Sequence, residues 1–220
     1  MISSMLLCFF AVSAVIAYQS APWQSASGQA NDFLVIPGDR AGQLRLGTPE
    51  QMIPRLTPAP NQSKISIPNC GTEYFVTLVS DARHPGALNV FARDEKVFEI
   101  EAVRGRYHTE KGTATNTPSG DVRAKYQALD AYLYLGQTPE ALNESPLVVW
   151  ADNKRGIAFT LTRDGKAGSA YSVYSSIIFP PDSIPCVEGY PLDSQSWERL
   201  PPYSLGEPHL AEFSLTSMFN

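Results

Sequence analysis

The chain has 220 residues, 43% of them hydrophobic and 18% charged, and carries a net charge of −5. That length buries a core of one ordinary domain or two small ones, and the apolar fraction excludes a disordered chain. With 18 Pro and 15 Gly but no repeat period a collagen-like chain is excluded, and with 17 basic residues against 22 acidic ones no nucleic-acid partner is expected.

Charge is absent before Asp32, and Met5 to Tyr18 (MLLCFFAVSAVIAY) is almost wholly apolar. Fourteen helical residues at about 1.5 Å each fall short of a hydrocarbon core roughly 30 Å thick. The run has the length of a signal-peptide core, and residues 1–17 are read as a signal, with an uncleaved anchor as the alternative. Val15 and Ala17 match the small residues before a cleavage site, and a second candidate site lies between Ala26 and Ala30. Residues 18–31 (YQSAPWQSASGQAN) are small, polar and uncharged, and read as a linker. The mature protein is then expected outside the cytoplasm, periplasmic or extracellular, with no stable transmembrane anchor.

Cleavage would remove Cys8 and leave Cys70 and Cys186. An even count in an exported chain points to a disulfide, with two separately buried thiols as the alternative.

From Asp32 onward most segments read as strands. Asp32–Ile36 is short and apolar, Gln43–Leu46 alternates, and Thr72–Val79 (TEYFVTLV) is β-branched and aromatic. Ala87–Ala92 and Lys96–Arg104 form a hairpin about Arg93-Asp94-Glu95. Later come Ala131–Leu135, Leu147–Ala151, Gly156–Thr162 and Ala170–Phe179, the last three joined by turns at 152–155 and 163–166. Helix starts are marked at Thr48-Pro49-Glu50-Gln51, where Pro54 shortens or kinks the helix, and at Thr117-Pro118-Ser119-Gly120-Asp121, which Gly120 weakens.

These two starts belong to an internal match. Gly42-Gln-Leu-Arg-Leu-Gly47-Thr48-Pro49 aligns with Gly112-Thr-Ala-Thr-Asn116-Thr117-Pro118, and each is followed by β-rich chain. Gly47 and Asn116 suit left-handed backbone. The chain therefore divides into repeat 1 (32–104), repeat 2 (105–180) and an extension (181–220) whose prolines exclude continuous helix or a central strand. That extension is expected to wrap the surface, pinned by Cys186, Tyr190 and Trp197.

A Gly-x-apolar-x-apolar-Gly-Thr start, a short helix and a β-meander resemble the repeat of small envelope proteins, the BamE (SmpA/OmlA) family and the β-lactamase-inhibitor protein. The matching residues are Gly42, Leu44, Leu46, Gly47, Thr48, Glu50, Met52 and Leu56, then Thr109, Gly112, Ala114, Thr117, Asp121, Val122 and Tyr126. The resemblance covers about Pro37 to Pro180. Pro54 interrupts the first helix, Thr57 stands where a terminating Gly is usual, and no lipobox is present. The resemblance implies an α+β fold of two tandem helix-plus-meander repeats on a mostly antiparallel sheet, and a function in protein binding without catalytic residues.

Chemical motifs are sparse. His84, His108 and His209 have no neighbour at metal-ligand spacing, and no nucleophile elbow, phosphate loop or dinucleotide fingerprint occurs, so no metal or cofactor is expected. Glu99 and Glu101 share one face of a strand and read as the solvated side of an edge hairpin. Asn61-Gln-Ser63 and Asn143-Glu-Ser145 match the N-glycosylation tripeptide. The candidate binding residues are aromatic: Tyr132 and Tyr134, which share a strand face, with Trp150 and Tyr74. The leading expectation is an exported, non-enzymatic module that binds a protein or envelope component. The alternatives are an exported hydrolase built on His108 with nearby acids, and a purely structural envelope protein.

Overall fold

A computed structural model describes residues 32–55, 63–78, 86–104, 106–127, 129–163 and 170–201. The signal, the linker and the last stretch of the extension lie outside the described residues. In chain order the elements are β1 (Leu34–Ile36), β2 (Arg40–Ala41), β3 (Leu44–Arg45), a 3-10 helix (Glu50–Arg55), β4 (Ser63–Ile67), β5 (Gly71–Leu78), β6 (Gly86–Arg93), β7 (Lys96–Arg104) and β8 (His108–Thr109). They continue with α1 (Ser119–Lys125), β9 (Asp130–Tyr134), α2 (Pro139–Glu144), β10 (Val148–Asp152), β11 (Ile157–Thr162), β12 (Ser172–Ile178), β13 (Cys186–Val187), β14 (Tyr190–Pro191) and β15 (Trp197–Leu200).

The fold is mostly β, 48% strand against 12% helix, which corrects the expected α+β architecture of helix-plus-meander repeats. One nine-stranded antiparallel sheet dominates, in the order β15-β9-β10-β11-β12-β7-β6-β5-β4. The helical pieces, of six, seven and six residues, are too short to form a layer. The physical reason is in the chain: Pro54 sits inside the first piece and Gly120 inside the second, while the β-branched and aromatic runs between them extend into strands.

The two Thr-Pro starts nevertheless make matching contacts. The amide of Gly47 donates to Val97 O and the amide of Val97 to Thr48 O; the amide of Asn116 donates to Val173 O and that of Val173 to Thr117 O. Gly47 and Asn116 both adopt left-handed backbone, at φ 77° and 67°. Ile53 and Val122, each four residues past its proline, are both fully buried. The strands after each start form four-stranded meanders, β4–β7 and β9–β12, whose last strands β7 and β12 pair antiparallel, Glu101 opposite Ile177.

The sheet has two dissimilar faces. On the first, Leu88, Val90, Ile100, Phe159 and Leu161 pack with Ile53, Val122 and the small sheet β3-β2-β1-β8 in the larger core cluster. On the second, Tyr132, Val149, Ala158 and Ile177 are covered by Phe179 and by Val187, Leu192 and Trp197 of a C-terminal strap, residues 181–201. A disulfide between Cys70 and Cys186 ties that strap to the turn before β5, with S–S 2.09 Å and Cα–Cα 5.8 Å. Trp197 pins the strap as expected, at 6% exposure, and Tyr190, though 44% exposed, sets its ring 6.1 Å from that of Tyr134. The strap's β15 pairs with β9 at the sheet edge, the position that a Pro-rich segment tolerates.

Candidate functional site

Cross-strand register places a set of polar and apolar side chains on the second face. Ile65 lies opposite Glu73, Glu73 opposite Phe91, and Phe91 opposite Glu99. In the next row Phe75 lies opposite Asn89, Asn89 opposite Glu101, and Glu101 opposite Ile177. A bulge between Phe91 and Ala92 adds Phe98 to β7, so Val97 returns to the larger core while Glu99 stays on the second face.

Where the strap crosses these rows a cavity of about 420 Å³ opens, lined by Glu73, Glu101, Glu188, Asn89, Phe91 and Tyr190 among others. Among the described residues three carboxylates and no basic side chain line it. Glu188 comes from the tight β13–β14 turn, where it and Gly189 hold φ 52° and 79°. Burial raises the Glu73 and Glu188 carboxyls, and the Glu101 charge adds to both. Behind the wall Glu99 is fully buried. Its Oε2 accepts the Cys186 amide at 2.7 Å, and Oε1 has no hydrogen-bond partner among the described residues. Burial pushes the Glu99 carboxyl well above the usual carboxylate range, against the Cys186 amide and Arg93, and with the charges of Glu101 and Glu73. Glu99 and Glu101 are therefore not the solvated side of an edge hairpin: β7 is interior to the sheet, and the strap covers Glu99.

Glu101 also sits within a polar relay across four strands. The Asn89 amide donates to Glu101 Oε2 at 2.7 Å, Ser175 Oγ donates to Glu101 Oε1 at 2.6 Å, and Thr160 Oγ1 lies 2.5 Å from Ser175 Oγ.

The four aromatics singled out in the sequence do not form one open surface. Tyr132 and Tyr134 do share a face, but the strap covers it: Tyr132 is 9% exposed, and Tyr134 packs against Trp197 with ring centroids 4.9 Å apart. Trp150 and Tyr74 belong to the larger core on the opposite face, at 3% and 5% exposure. Only the Tyr74 hydroxyl reaches out, donating to Glu50 Oε1, which also pairs with Lys64 Nζ at 3.3 Å. These three groups border a cavity of about 560 Å³, reached from the opposite face of β5 to Glu73. The Tyr74 hydrogen bond, with Lys64, holds the Glu50 carboxyl below its ordinary value.

His108 is exposed on β8, its Nδ1 2.8 Å from the Arg106 carbonyl, which requires Nδ1–H to be the donor. Among the described residues no Ser, Asp or Glu is recorded in a hydrogen bond with it, while the Asp32 carboxyl lies near enough to feel its charge. His84 and His209 lie outside the described residues. Among the described residues no group of three His, Cys, Asp or Glu side chains is placed to hold a metal ion.

The acidic cavity escapes sequence reasoning because its members come from β5, β7 and the strap, far apart in the chain. The one signal in the sequence is the pair Glu99 and Glu101 within a strand otherwise built for burial. Comparison with known proteins returns no matching family model, no matching curated protein and no matching solved structure.

Proposed function

We propose that this chain is an exported, non-enzymatic protein-binding module that docks a partner on the open half of the second face of its large sheet. The observation carrying this reading is the grouping of exposed apolar side chains. Ile65 (55% exposed), Phe75 (39%) and Tyr190 (44%) are three of five exposed large hydrophobics among the described residues. Ile65 and Phe75 stand on the same face of β4 and β5, and Tyr190 borders the cavity beside them. Scattered apolar residues need no explanation, but a group on one sheet face next to a polar cavity has the anatomy of an interface. The sequence resemblance to envelope proteins that act by binding proteins points the same way. The disulfide is compatible with an oxidising compartment, and with the apolar head it supports a periplasmic or extracellular location.

Affinity capture from the host's envelope and culture fluid, with the purified disulfide-bonded chain as bait, tests the reading. One protein retained by the native chain and lost with the double variant Ile65→Ser/Phe75→Ser supports it. Capture unchanged by that variant, with both baits equally folded, overturns it.

A further inference from the structure

We propose that the cavity between the strap and β5–β7 receives an arginine side chain of the docked protein, its guanidinium held by Glu73, Glu101 and Glu188. The inference rests on the docking reading above and names the chemistry of the partner.

Three features lead to it. First, the cavity holds three carboxylates from three separate elements, with no Lys, Arg or His among the described residues of its wall. Arg93 stands beside the wall without lining the cavity: Nη2 donates to the O of the lining residue Asn69 at 2.9 Å, and its guanidinium sits 4.2 Å from the centroid of the Phe98 ring. Second, a fourth carboxyl, Glu99, is sealed on the same side of the sheet, between cavity residues Phe91, Glu101 and Cys186, with Oε1 unpartnered. Burial and the Glu101 charge both act against charge on Glu73 and Glu188, and a cation entering beside these three carboxylates offsets that cost. Third, the spacing discriminates between cations. The carboxylates are not placed to close on a metal ion. A guanidinium is planar, presents five donors in a fixed fork and stacks on aromatic faces, so it suits acceptors spread around a cavity walled by Phe91 and Tyr190. The chain's net charge of −5 favours approach of a basic partner, and the exposed Ile65 and Phe75 beside the cavity supply the apolar contact around the buried charge.

The test is a two-dimensional amide NMR titration of the disulfide-bonded chain at pH 7 and low salt. The probe is N-acetyl-arginine amide, and the control is its uncharged isostere, N-acetyl-citrulline amide. The expected result is saturable shifts, in the millimolar range, at Glu73, Phe91, Glu101 and residues 186–190, with the citrulline compound giving none. Glu73→Gln/Glu188→Gln, which keeps shape and leaves the Ser175–Glu101–Asn89 relay intact, should weaken binding about tenfold. Glu140→Gln on the exposed side of α2 should leave it unchanged. Equal shifts with citrulline, no saturable shifts, or shifts centred away from these residues overturn the proposal. An unresponsive cavity together with Ile65- and Phe75-dependent capture overturns the arginine assignment while leaving the docking reading standing.

Discussion

At the scale of single residues, Glu99 has the largest consequence. Its carboxyl is raised by burial, and those of Glu73 and Glu188 move the same way. A carboxyl that binds its proton more tightly folded than unfolded favours the native state fully below the unfolded value, roughly 4.3 for Glu. That contribution declines as pH rises through the raised folded value. Thermal stability is therefore expected to fall as pH rises above the unfolded value of roughly 4.3, and Glu99→Gln should flatten that fall and raise the melting temperature at the alkaline end. Melting curves across this range check it; an unchanged slope in the variant refutes the assignment. Asp32 and Glu50 work in the opposite direction. For Asp32 burial is the largest single influence and raises the carboxyl, but the Leu34 amide and Arg40 together outweigh it. The contributions of Asp32 and Glu50 are present above their ordinary values and are lost as pH drops below them. Backbone strain separates two glycines. Gly156 holds φ +69°, and an added Cβ would lie 2.1 Å from Phe179 O, whereas Gly120 in α1 has open space around it. Gly156→Ala should cost about 2–3 kcal/mol or more, and Gly120→Ala should stabilise by about 0.5–1 kcal/mol, both read by denaturant unfolding.

At the scale of elements, turn chemistry is legible in the sequence, whereas the shortest elements are not. The Arg93-Asp94-Glu95 turn forms with φ 51° at Asp94 and 61° at Glu95, two left-handed residues whose twist matches the strands they join. The helix α2 begins Thr138-Pro139-Glu140, and Thr138 Oγ1 accepts the Ala141 amide at 3.3 Å. The Thr-Pro-Glu signal that marks residue 48 is present there too, but the six residues it opens are too few to show an apolar period. Strand β4 (SKISI) escapes sequence reading because it is short and lies at the edge, where packing and not pattern decides. The disulfide is the strongest single tie between elements, closing a sequence separation of 116. Replacing both cysteines by serine is expected to cost roughly 4–5 kcal/mol on the chain-entropy account. Chemical unfolding of the two forms measures it, and equal midpoints would show that the strap is held by Val187, Leu192 and Trp197 alone.

At the scale of the whole molecule, the seam between β7 and β12 joins two meanders into one sheet. Three ladder pairs and the relay from Asn89 through Glu101 and Ser175 to Thr160 hold it. Ser175 is fully buried, so Ser175→Ala leaves Glu101 Oε1 and Thr160 Oγ1 short of a partner. The expected cost is about 1–3 kcal/mol, lost in a single unfolding transition because the seam is common to both halves. Two separate transitions in the variant would show that the meanders fold independently.

The sequence by itself determined the strand-rich body and the left-handed positions at Gly47 and Asn116, and it pointed to the pairing of two cysteines, because each depends on local backbone preference or on simple counting. It did not determine the fold class: Pro54 and Gly120 cut the helices short, and whether the strands after them form two layers or one continuous sheet depends on edges meeting at Glu101 and Ile177. Nor did it determine which aromatic face is open. The alternation of Tyr132 and Tyr134 names a shared face, but a strap arriving some fifty residues later buries it, and the same strap turns Glu73, Glu101 and Glu188 into one cavity. Periodicity reports which side chains point together. What covers them is decided by segments distant in the chain, and so only by the tertiary structure.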